Sequence, residues 1–285
     1  MSEILLLPFM QRALAAGLLV GLITSMLGVI VILRRAAFFG DAVAHASLAG
    51  VALGVVTGMP PLATAAAIGV TIGFSLHRVE QRSRLSPDAV LGFILPFFMA
   101  VGILILSVRP GYQPELLSYL FGSILTVSWE RLATVVVVAL LVGALMVRLR
   151  KSLVFAAFDP DGAQVSGINV GRALTLYHVS LALVVIAGIS VVGIVLVNGL
   201  LVIPAATAKL LARSLAQMFI LAPLIGIGSV FAGLLASYWL DVPPGPAIVV
   251  AAGMVFLSAW VSQAWPRSSL FPQGRGATGG ASRAK

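Results

Sequence analysis

The chain has 285 residues, of which 60% are apolar and only 9% are charged. Soluble globular domains carry about 25% charged residues, so this composition excludes an ordinary soluble fold. The length accommodates about eight to ten membrane-spanning helices of about 20 residues each, with no room for a large soluble domain. The net charge of +9 would suggest a nucleic-acid partner in a soluble protein. The absence of cysteine excludes disulfides and thiolate metal sites.

The apolar runs are continuous, which predicts an all-α polytopic integral membrane protein of about eight or nine transmembrane helices rather than a β-barrel. In chain order, the spans are predicted at about 9–33, 42–57, 61–76, 89–107, 131–147, 173–197, 199–212, 216–238 and 246–264. The first run is too long for a cleaved signal peptide, so we expect it to be retained. Residues 173–212 are alternatively one broken helix, which would move everything after them to the opposite side of the membrane.

The Lys and Arg residues indicate the orientation, because cationic loops stay on the cytoplasmic side of the membrane. With the N-terminus outside, 15 of the 18 fall in inner segments, and Arg12, Arg109 and Arg131 are the other three. The inner residues are Arg34, Arg35, Arg78, Arg82, Arg84, Arg148, Arg150, Lys151, Arg172, Lys209, Arg213, Arg267, Arg275, Arg283 and Lys285. This distribution explains the positive charge without any nucleic acid.

The sequence predicts one transmembrane domain over residues 1–265, followed by a tail over 266–285. The tail is rich in Gly, Ser, Arg and Pro, and we expect it to be disordered, basic and cytoplasmic. Residues 148–172 form the longest inner loop. Residues 108–130 form a long outer segment, whose apolar stretch 116–125 is too short to span the bilayer.

Asp41 and His45 are the strongest candidates for chemistry, at the start of the second predicted span. Residues four apart share one face of a helix. An ionised Asp at the bilayer centre costs about 2.5–3.5 kcal/mol, so it usually has a partner or a function. A carboxylate and an imidazole suit zinc or manganese, whereas the structural alternative is an Asp–His hydrogen bond near the lipid boundary. Two ligands do not complete a metal site, and a second copy of the chain could supply the others.

The remaining ionisable residues predict no further site. We expect His77, beside Arg78, to be solvated, and His178 to be a packing residue. Glu115 and Glu130 are expected on a solvated face. The GxxxxGK[ST], HExxH and GxSxG motifs are absent from the sequence, which argues against ATP use by this chain, a zinc protease and a serine hydrolase. We therefore expect no enzyme activity.

Glycines four apart recur along the apolar runs. Such pairs let helices approach closely, so they predict a tightly packed bundle. The pairs are Gly17/Gly21, Gly50/Gly54, Gly54/Gly58 and Gly69/Gly73.

Four segments of this sequence are similar to the membrane permease subunits of the ABC importers for zinc and manganese, most closely to the zinc-type permeases. They are RRAAFFGDAVAHASLAGVALG (34–54), LLSYLFGSILTVS (116–128), VNGLLVIPAATAKLLA (197–212) and DVPPGPAIV (241–249). The resemblance runs from about residue 10 to residue 263. It implies the ABC importer permease fold and a multi-pass protein of a bacterial inner membrane. It also implies that Asp41 and His45 belong to the metal pathway.

The resemblance further implies an ATPase-coupling helix within residues 159–171. Asp161, Gly162 and Ala163, followed by Gly167, are similar to the Glu-Ala-Ala-x-x-x-Gly pattern of importer permeases, with the Glu and the first Ala replaced.

In this family, two permease copies assemble with two ATPase subunits, and an extracytoplasmic protein delivers the metal. We therefore expect a homodimeric permease that passes a divalent cation inward, zinc in the first place, with no permanently bound cofactor. The alternatives are a permease for manganese or for a metal chelate or siderophore, an ion-coupled secondary transporter, and a membrane scaffold that transports nothing.

Overall fold

A computed structural model describes residues 8–83, 85–107 and 124–264. Within these residues the structure contains ten α-helices and no strand, which confirms the all-α prediction. The helices are α1 (Pro8–Leu33), α2 (Phe39–Thr57), α3 (Pro61–Ser83), α4 (Pro87–Ser107), α5 (Trp129–Phe158), α6 (Pro160–Val165), α7 (Val170–Val192), α8 (Ile194–Leu211), α9 (Leu215–Leu240) and α10 (Pro244–Ala264). The predicted tail and most of the outer segment 108–130 lie outside the described residues.

Eight of these helices, all except α3 and α6, are long and apolar enough to cross a membrane. The apolar part of α3, Pro61–Leu76, is shorter, and the helix continues in polar sequence to Ser83. The helix α5 also extends beyond its predicted span of 131–147. Its 30 residues correspond to about 45 Å, against a hydrocarbon core about 30 Å thick, so its last turns project beyond the membrane.

The segment 173–212 forms two antiparallel helices joined at Gly193. Gly193 has φ 84° and ψ 165°, a conformation that is essentially restricted to glycine. The backbone of Gly188 lies against the side chain of Val197. Residues nine apart in a continuous helix would be about 13 Å apart, so this contact shows that the chain reverses at Gly193. The predicted sixth and seventh spans are therefore separate helices.

Contacts between helix ends define the two ends of the bundle. The Arg12 guanidinium lies 5.9 Å from the centroid of the Trp129 ring, so α1 and α5 begin at the same end. At the opposite end, the Gln263 side chain donates a hydrogen bond to the Leu210 carbonyl, so α8 and α10 finish together. Because the helices alternate in direction, the starts of α4, α7 and α9 also lie at this second end.

The second end carries most of the cationic residues, as the distribution of Lys and Arg along the sequence predicted. The described members of the predicted inner set that lie there are Arg34, Arg35, Arg78, Arg82, Arg148, Arg150, Lys151, Arg172, Lys209 and Arg213. Arg12 and Arg131 lie at the other end. By the positive-inside rule, we expect the second end to be cytoplasmic, with the start of α1 outside.

The helices α1, α2 and α7 are the most buried of the membrane-crossing helices, and α4 and α10 lie at the periphery. In the most apolar 18-residue stretch of each, 67% of α1 and α2 and 72% of α7 are buried, against 17% of α4 and α10. The buried Tyr177 hydroxyl donates a 3.0 Å hydrogen bond to the Leu27 carbonyl, which ties α7 to α1. The Ser25 hydroxyl ties α1 to α8 through the Leu200 carbonyl at 3.2 Å.

Three of the predicted glycine pairs lie at helix–helix contacts. Gly17 and Gly21 face α9, and Gly50 and Gly54 face the first turns of α3. Gly69 and Gly73 face α7 at Ile186 and His178, so α3 runs antiparallel to α7. The fourth pair ends at Gly58, which closes α2 in a left-handed conformation with φ 75°.

Candidate functional site

The second helix begins inside the bundle rather than at its surface. After α1, the chain turns back within five residues, and Arg35 adopts a positive φ of 56° in this turn. The Phe39 ring then stacks on His178, with the ring centroids 5.4 Å apart. Gly40 packs beside Leu201, which lies near the middle of α8. The next residue, Asp41, is therefore at about mid-height in the bundle and not at the lipid boundary.

Asp41 and His45 form the open strip of α2. Between Phe39 and Gly50, all the other residues of the helix are buried, whereas the side chains of Asp41 and His45 are half-buried. The small residues of this stretch, mostly Ala, let α2 pack closely against α3 and α4. One turn of a helix separates the two ionisable side chains, so the carboxylate and the imidazole open onto the same space, as the spacing predicted.

The carboxylate of Asp41 has a partner on α8. The side-chain amide nitrogen of Asn198 donates a hydrogen bond to Asp41 Oδ1, across a separation of 157 residues. Sequence reasoning missed this partner. The available signal was an amide side chain within an apolar run, inside the 197–212 segment that supports the family resemblance.

The imidazole of His45 is held by the backbone of its own helix. His45 Nδ1 lies 2.8 Å from the main-chain oxygen of Asp41. Because a carbonyl oxygen only accepts, this contact assigns a proton to Nδ1, so that in the neutral imidazole the lone pair is on Nε2. A neutral imidazole with Nδ1 fixed in this way is the usual form of a metal-binding histidine.

The site thus presents one free carboxylate oxygen and one imidazole nitrogen. Within the part of the chain that the structure describes, there is no group of three or more His, Cys, Asp or Glu residues that could hold a metal ion. These described residues therefore offer two ligands from a single chain.

The other predicted histidines and acids lie apart from this pair. His178 is 1% exposed and packs between Phe39 and Tyr177, with the Tyr177 ring centroid 5.6 Å away. Glu130 is exposed in the first turn of α5. Glu115 and the His77 side chain lie outside the described part of the structure.

The predicted coupling segment contains the short helix α6, at the cationic end of the bundle. The Asp159 carboxylate caps α6 by accepting a 2.9 Å hydrogen bond from the backbone N–H of Gly162. A side chain at Gly162 would collide with this carboxylate. Ala163 is fully buried, and Gly167 has a positive φ of 80° at the turn into α7. These three small residues shape the turn, which explains their size.

The outer face of α6 is available for contact. Asp161 is exposed, and the Val165 side chain is 90% exposed. Asn169 accepts a 2.9 Å hydrogen bond from the Arg172 N–H and so begins α7 directly after this turn. The segment is thus held firmly between two long helices while it exposes an apolar and an acidic side chain.

Comparisons with known proteins cover almost the whole chain. Residues 6–263 match the ABC 3 transport family. The manganese transport system membrane protein MntC of Listeria monocytogenes is 33% identical over 253 residues, covering 89% of this chain and 90% of that protein. The high-affinity zinc uptake system membrane protein ZnuB of Haemophilus influenzae is 29% identical over 245 residues, covering 86% and 94%. The solved structure of PsaBC from Streptococcus pneumoniae in complex with Fab matches with a TM-score of 0.79 at 30% identity, covering 91% and 93%.

Proposed function

Because this chain belongs to the ABC 3 transport family and is a multi-pass permease of an ABC metal importer, we propose that zinc is the ion it passes inward. The single observation that supports the site is the open strip of α2, where Asp41 and His45 are half-buried and the other residues between Phe39 and Gly50 are buried. An oxygen and a nitrogen ligand of this kind suit zinc, which binds His and Asp side chains in four-coordinate sites.

Two copies of the chain complete the proposed site. Each copy contributes Asp41 and His45, both half-buried and therefore accessible to a facing protomer. Two carboxylates and two imidazoles supply four ligands, and the two negative charges balance a divalent cation. The ion then crosses the membrane between the protomers.

A separate ATPase chain drives this passage. The sequence of the permease has no P-loop, so the energy comes from a partner that docks at the cytoplasmic end. The exposed face of α6, with Asp161 and Val165, is the proposed docking surface. Gly162, Ala163 and Gly167 set the shape of that surface. An extracytoplasmic protein delivers the ion at the opposite end.

Elemental mass spectrometry of chelator-treated cells tests the zinc assignment and the site together. A host that lacks the chain is restored with the wild type, Asp41→Asn, His45→Ala or Asp88→Asn. Asp88 is an exposed acid in the first turn of α4 and serves as the matched control. We expect the wild type and the control to restore cellular zinc, and the two site variants to fail although they are present in the membrane.

Two other outcomes would overturn parts of the proposal. If Asp41→Asn and His45→Ala restore zinc fully, the chain transports zinc but the site is wrong. If only manganese responds to the wild type, the zinc assignment is wrong. Manganese is the second candidate, because the relative from Listeria monocytogenes is named for it and the same ligand types bind both ions.

A further inference from the structure

Asn198 lies beside the proposed ion site and is not one of its proposed ligands. Its amide nitrogen donates to Asp41 Oδ1, which leaves the second carboxylate oxygen free. The hydrogen bond joins the helix that carries both proposed ligands to the central part of α8. A carboxylate that binds a metal is commonly oriented by a hydrogen bond of this kind.

The packing around Asn198 keeps the amide in this position. A side chain at Gly40 would overlap Asn198 Oδ1, so the glycine provides the space that lets the amide reach Asp41. Among the described residues, Asn198 Oδ1 is buried and has no hydrogen-bond partner. The amide therefore has one strong interaction, the bond to the carboxylate, and that interaction fixes its orientation.

We propose that Asn198 determines metal specificity by occupying one oxygen of Asp41, so that each chain offers a single carboxylate oxygen and the Nε2 of His45. This inference rests on the proposed dimeric zinc site. Two chains then present four ligands, which is the number that zinc prefers. Without the amide, each carboxylate could bind through both oxygens, and two chains would present six ligands. An oxygen-rich site of six ligands suits manganese better than zinc.

Asn198 is uncharged, which also suits a site for a divalent cation. An amide donor orients the carboxylate without cancelling its negative charge, whereas a lysine or arginine at this position would neutralise it. The two Asp41 carboxylates therefore keep the charge of −2 that balances a divalent cation. The donor restricts how the ion is bound while leaving the electrostatic attraction in place.

The test measures zinc and manganese uptake separately in cells that contain the complete importer. Asn198→Leu removes the donor at similar size, and Asn198→Gln retains an amide. Val202→Ala, one turn further along α8 and also half-buried, is the matched control. For Asn198→Leu, we expect the KM for zinc to rise about tenfold and the preference for zinc over manganese to fall by a similar factor. Asn198→Gln should recover part of this preference, and Val202→Ala should keep it.

Two results would overturn the inference. One is an equal loss of zinc and manganese uptake in Asn198→Leu, which indicates that the residue only supports folding. The other is wild-type uptake of both metals in Asn198→Leu, which indicates that the amide does not influence how the ion is bound. Both can be separated from a failure of the proposed function, because in that case Asp41→Asn would itself retain zinc uptake.

Discussion

At the level of single residues, the geometry of the proposed site involves a glycine as well as its ionisable side chains. Gly40 lies against Asn198 and Leu201 where α2 meets α8. Both contacts involve side chains rather than backbone, so an added methyl group can be accommodated by rotating them. The fold can therefore tolerate the change, but the amide of Asn198 must then move away from Asp41.

We predict that Gly40→Ala abolishes most zinc uptake while the protein remains in the membrane. The displaced amide no longer orients the Asp41 carboxylate, and the loss of such an orienting contact reduces metal affinity about tenfold or more. Zinc uptake at limiting external zinc, normalised to the amount of permease, measures the effect.

Gly92→Ala is the control for this substitution. A Cβ at Gly92, also in a helix, would have no neighbour within 4 Å, so uptake should match the wild type. Equal uptake by Gly40→Ala and Gly92→Ala would contradict the role given to Gly40.

The sequence predicted the two proposed ligands, Asp41 and His45, but not the hydrogen-bond partner of Asp41, for a physical reason. Asp41 and His45 are four apart in one helix, and helical geometry alone places them on one face. Asn198 reaches Asp41 across 157 residues, through the packing of α2 against α8, and no local periodicity encodes that contact. The sequence also left open whether Asp41 lies at mid-height or near the lipid boundary, because the return of the chain before Phe39 depends on the same packing.

At the level of helices, Gly193 decides the path of the chain between α7 and α8. Its φ of 84° and ψ of 165° are strained for any residue with a side chain, at a cost of about 1–3 kcal/mol. We predict that Gly193→Ala lowers the melting temperature of the purified permease in detergent, because the alanine must either accept this strain or open the hairpin.

Gly253→Ala in α10 provides the comparison for Gly193→Ala. A Cβ at Gly253 would meet no neighbour within 4 Å, and alanine is a better helix former than glycine. This variant should melt at or above the wild-type temperature. If both variants had the same melting temperature as the wild type, the Gly193 conformation would not be needed for the hairpin.

The exposed side of α6 permits a prediction about the ATPase partner. Val165 is 90% exposed, and its side chain can be changed without disturbing the buried Ala163. We predict that Val165→Asp strongly reduces the amount of ATPase that copurifies with the permease, because a desolvated carboxylate replaces an apolar contact. The yield and melting temperature of the permease itself should stay the same.

The same substitution at the other end of the bundle is the control. Val242 is 40% exposed in the turn between α9 and α10. Val242→Asp should leave the copurified ATPase at the wild-type level. Undiminished ATPase with Val165→Asp would exclude this face of α6 as the docking surface.

At the level of the whole molecule, hydropathy predicted the eight helices that are long and apolar enough to cross a membrane, but not where the helices stop. The predicted span 131–147 ends where Arg148 begins the charged stretch, yet α5 continues to Phe158. A charged side chain ends an apolar run without ending a helix, since Arg and Lys are good helix formers. Much of the inner loop 148–172 is thus helical, and α6 is held rigidly at the end of α5.

The orientation of the bundle in the membrane is simple to test, because the sequence contains no cysteine. Met59 is 57% exposed in the turn after α2, at the end where α3 begins, and Ser166 is exposed directly after α6, at the cationic end. Since cationic segments stay in the cytoplasm, a membrane-impermeant maleimide should label Met59→Cys in intact spheroplasts and Ser166→Cys only after the membrane is opened. The reverse pattern would invert the whole bundle and place α6 where no ATPase could reach it. The two labels fix the direction of the helices up to α7. Because α7 and α8 form an antiparallel hairpin at Gly193, the same result also fixes the side of the turns that follow α7 among the described residues.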